Sequence, residues 1–454
     1  MTADTVAPIA NSGLCTGCGT CVAVCPTRAV RMRQTGSGSL APIIDPQLCT
    51  QCGLCLEVCP GIQLQPGLLA DDSDPFTGPI EKAFLAQAGD RELLLGAQSG
   101  GVASLLLCHL VRSGAVEGAL VTHMPSDGSL RPQIAVARTE QEIMKARGSK
   151  YCPVPVNSGL TDNHSDTALA LVGCACHIHG IRNAQHLGLL KNVQFTIGLF
   201  CDRTLSYALI NYLLAKAGIA VSDAQYIAYR DKRWRGWPGD VRIDDAAGNT
   251  RWLTRERRMA AKDAFTLPHC RLCFDKLNVF ADVSLGDAHG LSEDQSGMSA
   301  VLARTTKGLI ALRELEAAGG LTLREVDPEA ICRQSQRIGE RMESWCHYMD
   351  AFRELARQVP HFGVRAQCEG KIEAADPLHR REMQWAFRLH RCAHLEEAVA
   401  LATWRLRITR LLSHFRPYRF RSLLRRLLLG LLPTLIRIRH SVWTRPRHGG
   451  NTCA

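Results

Sequence analysis

The sequence predicts a mixed α+β and α/β protein, with a small cysteine-rich module first, an α/β body behind it and a helical basic tail. Three observations predict this. Two near-copies of one cysteine run fill the first sixty residues, strand-length and helix-length patterns alternate from about 93 to 330, and arginine and leucine crowd the last stretch. At 454 residues the chain exceeds what one hydrophobic core holds, so two or three domains are expected. The boundaries read as a module over 1–70, a linker over 71–92, a body over 93–330, a helical region over 331–400 and a tail over 401–454.

The module is carried by "CTGCGTCVAVCP", Cys15 to Pro26, and "CTQCGLCLEVCP", Cys49 to Pro60. A cubane cluster needs four thiolates at the corners of a tetrahedron, and three cysteines spaced by three reach three corners only if the backbone wraps closely. Gly17, Gly19 and Gly53 permit that approach. In this motif class the fourth cysteine of each run ligates the opposite cluster. The spacing is that of a bacterial dicluster ferredoxin-like domain. On that pattern Cys15, Cys18, Cys21 and Cys59 hold one [4Fe-4S] cluster, and Cys49, Cys52, Cys55 and Cys25 the other. Pro26 and Pro60 stop each run from continuing as helix. Paired zinc knuckles are the alternative, and they leave the third cysteine and the trailing Cys-Pro unexplained.

Composition narrows the rest. Twenty cysteines with this spacing fit metal ligation in a reducing compartment better than a secreted disulfide framework. The opening "MTADTVAPIANSG" lacks a basic n-region and an apolar h-region, so a cytoplasmic chain is expected. The net charge of +11 is uneven: residues 401–454 hold twelve arginines and no acidic residue, leaving the remainder at −1. A nucleic-acid binder carries its charge on a folded face, so no nucleic-acid partner is expected. Within the tail the longest uncharged run, Leu427 to Ile436, is half of what a spanning helix needs. Three readings stay open for it: peripheral contact with the inner membrane face, docking on an acidic redox partner, and a solvated helix pair.

In the body, "SGGVASLLLCHLVRSG" reads as a glycine turn opening a helix, "VEGALVTHM" as the strand after it, and "TALALVG" and "VQFTIGLF" as buried strands. "TLSYALINYLLAKAG" is a helix, "VRIDDAAGNTRWLT" a hairpin, "ADVSLGD" a strand, and "SAVLARTTKGLIALRELEAAGGLTLREV" strand, helix, strand. Cys176, Cys201, Cys270 and Cys273 fall where strands or hairpins end, the edge at which open α/β sheets bind ligands.

Taken in order, "SGGVASLLLCHLVRSGAVEGALV", "GSKYCPV", "GCACHIHGIR", "GLFCDRT", "YRDKRWRGWPG", "CRLCFDK" and "ADVSLGDAHG" resemble the blocks of the coenzyme F420 hydrogenase/dehydrogenase beta subunit family. The resemblance spans about Glu81 to Val326. It implies an iron-sulfur flavoprotein oxidoreductase with FAD in the body and a third [4Fe-4S] cluster on Cys176, Cys201, Cys270 and Cys273. One departure stands out: many relatives read G-x-P-C-Q where this chain has "GCACH", so Cys174 is an extra thiol and His177 replaces an amide. Cys174 is either a substitute ligand or a packed thiol.

Candidate flavin contacts follow from the same blocks. Ser99, Gly100 and Gly101 stand at a helix start that favours an anion such as the FAD pyrophosphate, although a plain Ser-Gly-Gly cap looks the same. Lys150 is a second phosphate or flavin contact. His177, Asp231 and Asp287 are the candidate catalytic groups, with Lys232 beside them; Trp234 and Trp237 either flank a planar ring or cap a core edge. The expected activity is electron relay from the clusters to FAD and hydride exchange with coenzyme F420 or another small-molecule donor or acceptor. The expected partner is a ferredoxin or a dehydrogenase subunit. Two alternatives remain: a ferredoxin-dependent reductase akin to the chlorophyll-type members, and a non-catalytic electron-transfer subunit.

Overall fold

A computed structural model describes residues 5–68, 73–161, 166–356, 360–364 and 376–413. Each cysteine run folds as a loop that passes straight into one helical turn. After α1 (Ile9–Ser12), Gly19 takes a left-handed φ of 84° and opens α2 (Thr20–Ala23); the hairpin of β1 (Val30–Gln34) and β2 (Leu40–Ile44) follows, and Gly53 at 78° opens α3 (Leu54–Glu57). A side chain at either glycine would have to adopt a conformation that costs L-residues free energy.

The body begins with β3 (Lys82–Ala88), α4 (Arg91–Gly96), α5 (Val102–Arg112), β4 (Gly118–His123), β5 (Gln133–Ala137) and α6 (Glu140–Lys145). Next come β6 (Leu169–Gly173), α7 (Ala175–His186), β7 (Val193–Leu199) and α8 (Ala208–Ala217). A separate antiparallel sheet of β8 (Ala224–Asp231), β9 (Asp240–Asp245) and β10 (Thr250–Leu253) leads to α9 (Arg255–Phe265) and α10 (Pro268–Leu272). The chain then returns through β11 (Val283–Asp287), β12 (Ser299–Ala303), α11 (Thr306–Ala317) and β13 (Leu321–Glu325).

The main sheet has eight strands in the order β13-β3-β12-β11-β7-β6-β4-β5. Its centre, β11-β7-β6-β4, is parallel, and antiparallel strands flank it. Both faces are covered, which parallel strands require. Along β6, Ala170 packs with Leu106 of α5 and Leu312 of α11, while Leu169 and Leu171 pack with Ile178 and Ile181 of α7 on the opposite face. All the parallel strands therefore end at one edge, and the loops beyond it carry the conspicuous cysteines.

Two expectations are revised. The linker expected over 71–92 contains β3, which pairs with β12 and β13 inside the sheet. Its residues Ala83 to Ala86 are buried on both faces, so no polar alternation announces a strand. The cysteine module does not keep a core of its own either: Val6, Ile9, Leu14 and Leu64 share one hydrophobic cluster with Leu272, Phe274, Trp345 and Phe352. The last two belong to α12 (Ile338–Ala356), which is followed by α13 (Pro377–His390) and α14 (Leu395–Ser413). Residues 1–399 form one compact unit and 400–454 another. Most of the basic tail lies outside the described residues; among those described, no helix is long and apolar enough to cross a membrane.

Candidate functional site

The eight N-terminal cysteines gather into two nests. Cys25, Cys49, Cys52 and Cys55 line one cavity, so the last cysteine of the first run joins three of the second. Cys15, Cys18, Cys21 and Cys59 make the reciprocal set: Cys21 lies within the electrostatic field of Cys18, Cys15 and Cys59, and Cys59 within that of Cys18 and Cys15. All eight are free thiols; among the described cysteines only Cys346 is disulfide-bonded. Burial, with the field of Cys18 added, pushes the Cys15 thiol up to about 12. Such thiols ionise together only against a strong local cation, and iron supplies it. The donor set therefore fits two [4Fe-4S] clusters.

Cys176, Cys201, Cys270 and Cys273 come from three different segments yet line a single cavity, and Cys174 lines it too. Cys174 and Cys176 open α7 just past β6, Cys201 follows β7, and Cys270 and Cys273 sit in and after α10. Burial raises the Cys273 thiol to about 12 and drives Cys176 well above its ordinary value. The thiol that acts most strongly on Cys176 is Cys18, from the nest of Cys15, Cys18, Cys21 and Cys59. Leu14, Thr16, Pro60 and Gly61, which bracket that nest, form part of the same cavity wall. The body cavity and the nest of Cys15, Cys18, Cys21 and Cys59 are thus neighbours across one layer of loop.

Helix α12 supports this cavity from behind, a role that no sequence pattern announced. Arg341 donates to the carbonyls of Cys270 (3.1 Å) and Cys273 (2.5 Å), and Trp345 Nε1 donates to Leu272 O at 2.8 Å. These three bonds pin the loop whose two thiols face the cavity. The signal was hidden because a helix of ordinary composition reveals its partners only once packed.

A second constellation gathers beyond β11. Asp287 accepts two hydrogen bonds from Arg230, at 2.6 and 3.1 Å, and one from Trp237 Nε1 at 3.0 Å. Burial opposes its charge, but Arg230 outweighs that, and the carboxyl sits below its usual range. His289, absent from the expected set although it lies in "GDAHG", rests 3.6 Å from Asp287, tilts against the Trp237 ring at 5.1 Å and is half exposed. Lys232 Nζ donates to Ser99 O at 2.9 Å and to Ser296 O, which ties this group to the start of α5. There Gly100 N–H donates to Ser299 Oγ and Gly101 adopts φ 79° with no side chain capping the helix.

Other expected residues sit in different surroundings. Lys150 donates all three ammonium protons to backbone carbonyls, those of Thr122, Ala146 and Arg147, and burial lowers it to about 7. His177 Nδ1 accepts from Cys174 N–H at 3.0 Å while Nε2–H donates to Val154 O at 2.9 Å. Asp231 is paired with Arg233 and Arg242 on the small sheet. Trp234 is exposed there and tilts against Trp252.

Profiles of known families match this architecture. Two describe the beta subunit of coenzyme F420 hydrogenase/dehydrogenase: the profile of its N-terminal part covers residues 83–161, and that of its C-terminal part covers 166–329. A 4Fe-4S dicluster domain covers 14–61. The chain belongs to the coenzyme F420 hydrogenase/dehydrogenase beta subunit family. Coenzyme F420 hydrogenase subunit beta of Methanosarcina barkeri is 27% identical over 243 residues, 52% of this chain and 78% of its own length. The same protein of Methanococcus voltae is 27% identical over 267 residues, 56% of this chain and 87% of its own. Coenzyme F420-dependent sulfite reductase of Methanocaldococcus jannaschii is 24% identical over 337 residues, 70% of this chain but 48% of that enzyme. A chain of the F420-reducing [NiFe] hydrogenase complex of Methanosarcina barkeri aligns over 60% of this chain and 94% of its own, at 23% identity and a TM-score of 0.46.

As a member of the coenzyme F420 hydrogenase/dehydrogenase beta subunit family with a dicluster domain, the chain is an iron-sulfur redox subunit. The flavin expected from the resemblance meets a mixed environment. The uncapped amides at the start of α5 fit an anion. Lys150, by contrast, has no ammonium proton left for a phosphate, and Gly100 is pressed against the sheet, where an added Cβ would stand 2.3 Å from Ala86 O.

Proposed function

We propose that this protein relays electrons between a redox partner protein and a small-molecule hydride donor or acceptor, through two N-terminal [4Fe-4S] clusters, a third cluster in the body and FAD. One observation carries the reading: the cavity lined by Cys176, Cys201, Cys270 and Cys273 shares its wall with the Cys18 loop. A chain of thiol nests this close is what single-electron hopping requires. When bound, FAD supplies the exchange between single electrons and a hydride.

The residues that would hold and serve it are Ser99, Gly100 and Gly101 at the α5 amides, with Lys232 adding a cation beside them. His289, beside an Asp287 kept ionised by Arg230 and Trp237, would be the group that holds or passes a proton. Coenzyme F420, named in the relatives, is the first substrate to try. Oxygen-free purification with iron, sulfide and flavin assays is the test: about twelve iron per chain with FAD supports the enzyme. A second reading, a non-catalytic electron-transfer subunit, is favoured by the carbonyl-bound Lys150, and about twelve iron without any flavin would establish it instead.

A further inference from the structure

The body cavity contains one thiol more than a [4Fe-4S] cluster has irons to ligate. Cys174, Cys176, Cys201, Cys270 and Cys273 all line it. Three of them occupy separate positions. Cys176 sits in the first turn of α7 facing the Cys18 loop; Cys270 Sγ accepts from Thr204 N–H at 3.1 Å; Cys273 Sγ points its proton at Asp275 O, 3.5 Å away.

Cys174 and Cys201 instead duplicate one another. Strands β6 and β7 run parallel with Gly173 beside Gly198, so the residues after each strand leave the sheet side by side. Cys174 is the first residue past β6 and Cys201 the second past β7. Their backbones are fixed from behind, Cys174 N–H by His177 Nδ1 and Cys201 N–H by Lys276 O at 2.9 Å. Their two side chains line the same cavity wall, where the ends of the two paired strands bring them.

We propose that Cys174 and Cys201 share one corner of the body cluster: either thiolate ligates the iron, and the other, still protonated, donates its S–H to the ligated sulfur. The inference rests on the reading that this cavity holds a third [4Fe-4S] cluster. Ligation replaces one S–H bond by one Fe–S bond and releases the proton to solvent; exchange of ligands moves a proton from one sulfur to the other and transfers no electrons. Hydrogen bonds to ligand sulfurs help set cluster potentials. The donated S–H stabilises the more negative reduced cluster, so it raises the potential.

The test uses the full chain, purified without oxygen, beside Cys174→Ala, Cys201→Ala and the double variant, with iron and sulfide counts, electron paramagnetic resonance of the reduced protein, and potentiometric titration. About twelve iron should remain in the parent and both single variants, falling to about eight in the double. Cys174→Ala should also lower the potential of the body cluster. The proposal fails if Cys201→Ala alone drops to about eight iron while the N-terminal cluster signals persist, since those signals show the chain is folded. It fails equally if Cys174→Ala titrates at the parent potential. A parent with only about eight iron overturns the third cluster itself, a result distinguishable from a loss confined to Cys201→Ala.

Discussion

At position 177 an imidazole makes the two bonds that a carboxamide would make: one nitrogen accepts from Cys174 N–H and the other donates to Val154 O. That equivalence explains how His177 stands where many relatives have an amide, and it supports a fastening role over proton transfer. Burial lowers the His177 pKa from 6.5 to about 4. The unfolded chain therefore takes up the proton first on acidification. The contribution to stability is complete above about pH 6.5 and declines as pH falls towards 4. His269 and His390, also lowered to about 4 by burial, act in the same direction. His177→Gln should keep turnover and leave a shallower loss of stability between pH 7 and 5, read from urea midpoints; a variant that folds but loses turnover would restore the catalytic role. Asp287 makes a contrasting case, because its partner Arg230 is buried with it. Asp287→Ala should cost about 3 kcal/mol in a denaturant titration, since it leaves an unpaired guanidinium inside.

Among the elements, α5 was readable in advance as a helix opened by a glycine turn, but α7 was not, and neither helix announced its partners. Gly100 is tightly placed: a Cβ there would stand 2.3 Å from Ala86 O and 2.8 Å from Ser299 N, both backbone atoms that cannot move aside separately from the sheet. Gly100→Ala should destabilise the body by about 1–3 kcal/mol and lower bound flavin while leaving iron content unchanged. Equal loss of both in cofactor assays would count against a flavin at this helix start. Strand β3 escaped notice because it is buried on both faces and its run "KAFLAQA" holds no β-branched residue, so neither alternation nor strand propensity marks it.

Across residues 1–399, buried polar contacts join the dicluster segment to α7 and its neighbours, and on the proposed relay they are the ones that set its geometry. Asn183 Oδ1 accepts from Gln65 N–H at 3.0 Å and its Nδ2 donates to Gln63 O at 3.0 Å. Asn157 Nδ2 bridges Thr20 Oγ1 and His177 O, both at 2.8 Å. Gly180 of α7 leaves room for Thr20, whose hydroxyl an added Cβ would meet at 2.1 Å. Side chains held this way fix the distance between thiol nests. Asn183→Ala leaves a buried N–H without its acceptor, at a cost of about 1–3 kcal/mol. In stopped-flow experiments the N-terminal clusters of this variant should still reduce at the parental rate, while onward transfer to the body slows. Unchanged onward transfer would show that the junction is merely structural.

The sequence by itself determined the two N-terminal cysteine runs, the family, and most strands of the body, because these depend on local spacing, periodicity and backbone freedom. It did not show that the dicluster segment and α12 share a core, that Lys150 and His177 are bound to carbonyls, or that Cys174 and Cys201 line one cavity. Those features are juxtapositions of segments tens to hundreds of residues apart. Only packing around the eight-stranded sheet brings such groups together, since a side chain's partners are set by where its neighbours in space come to rest.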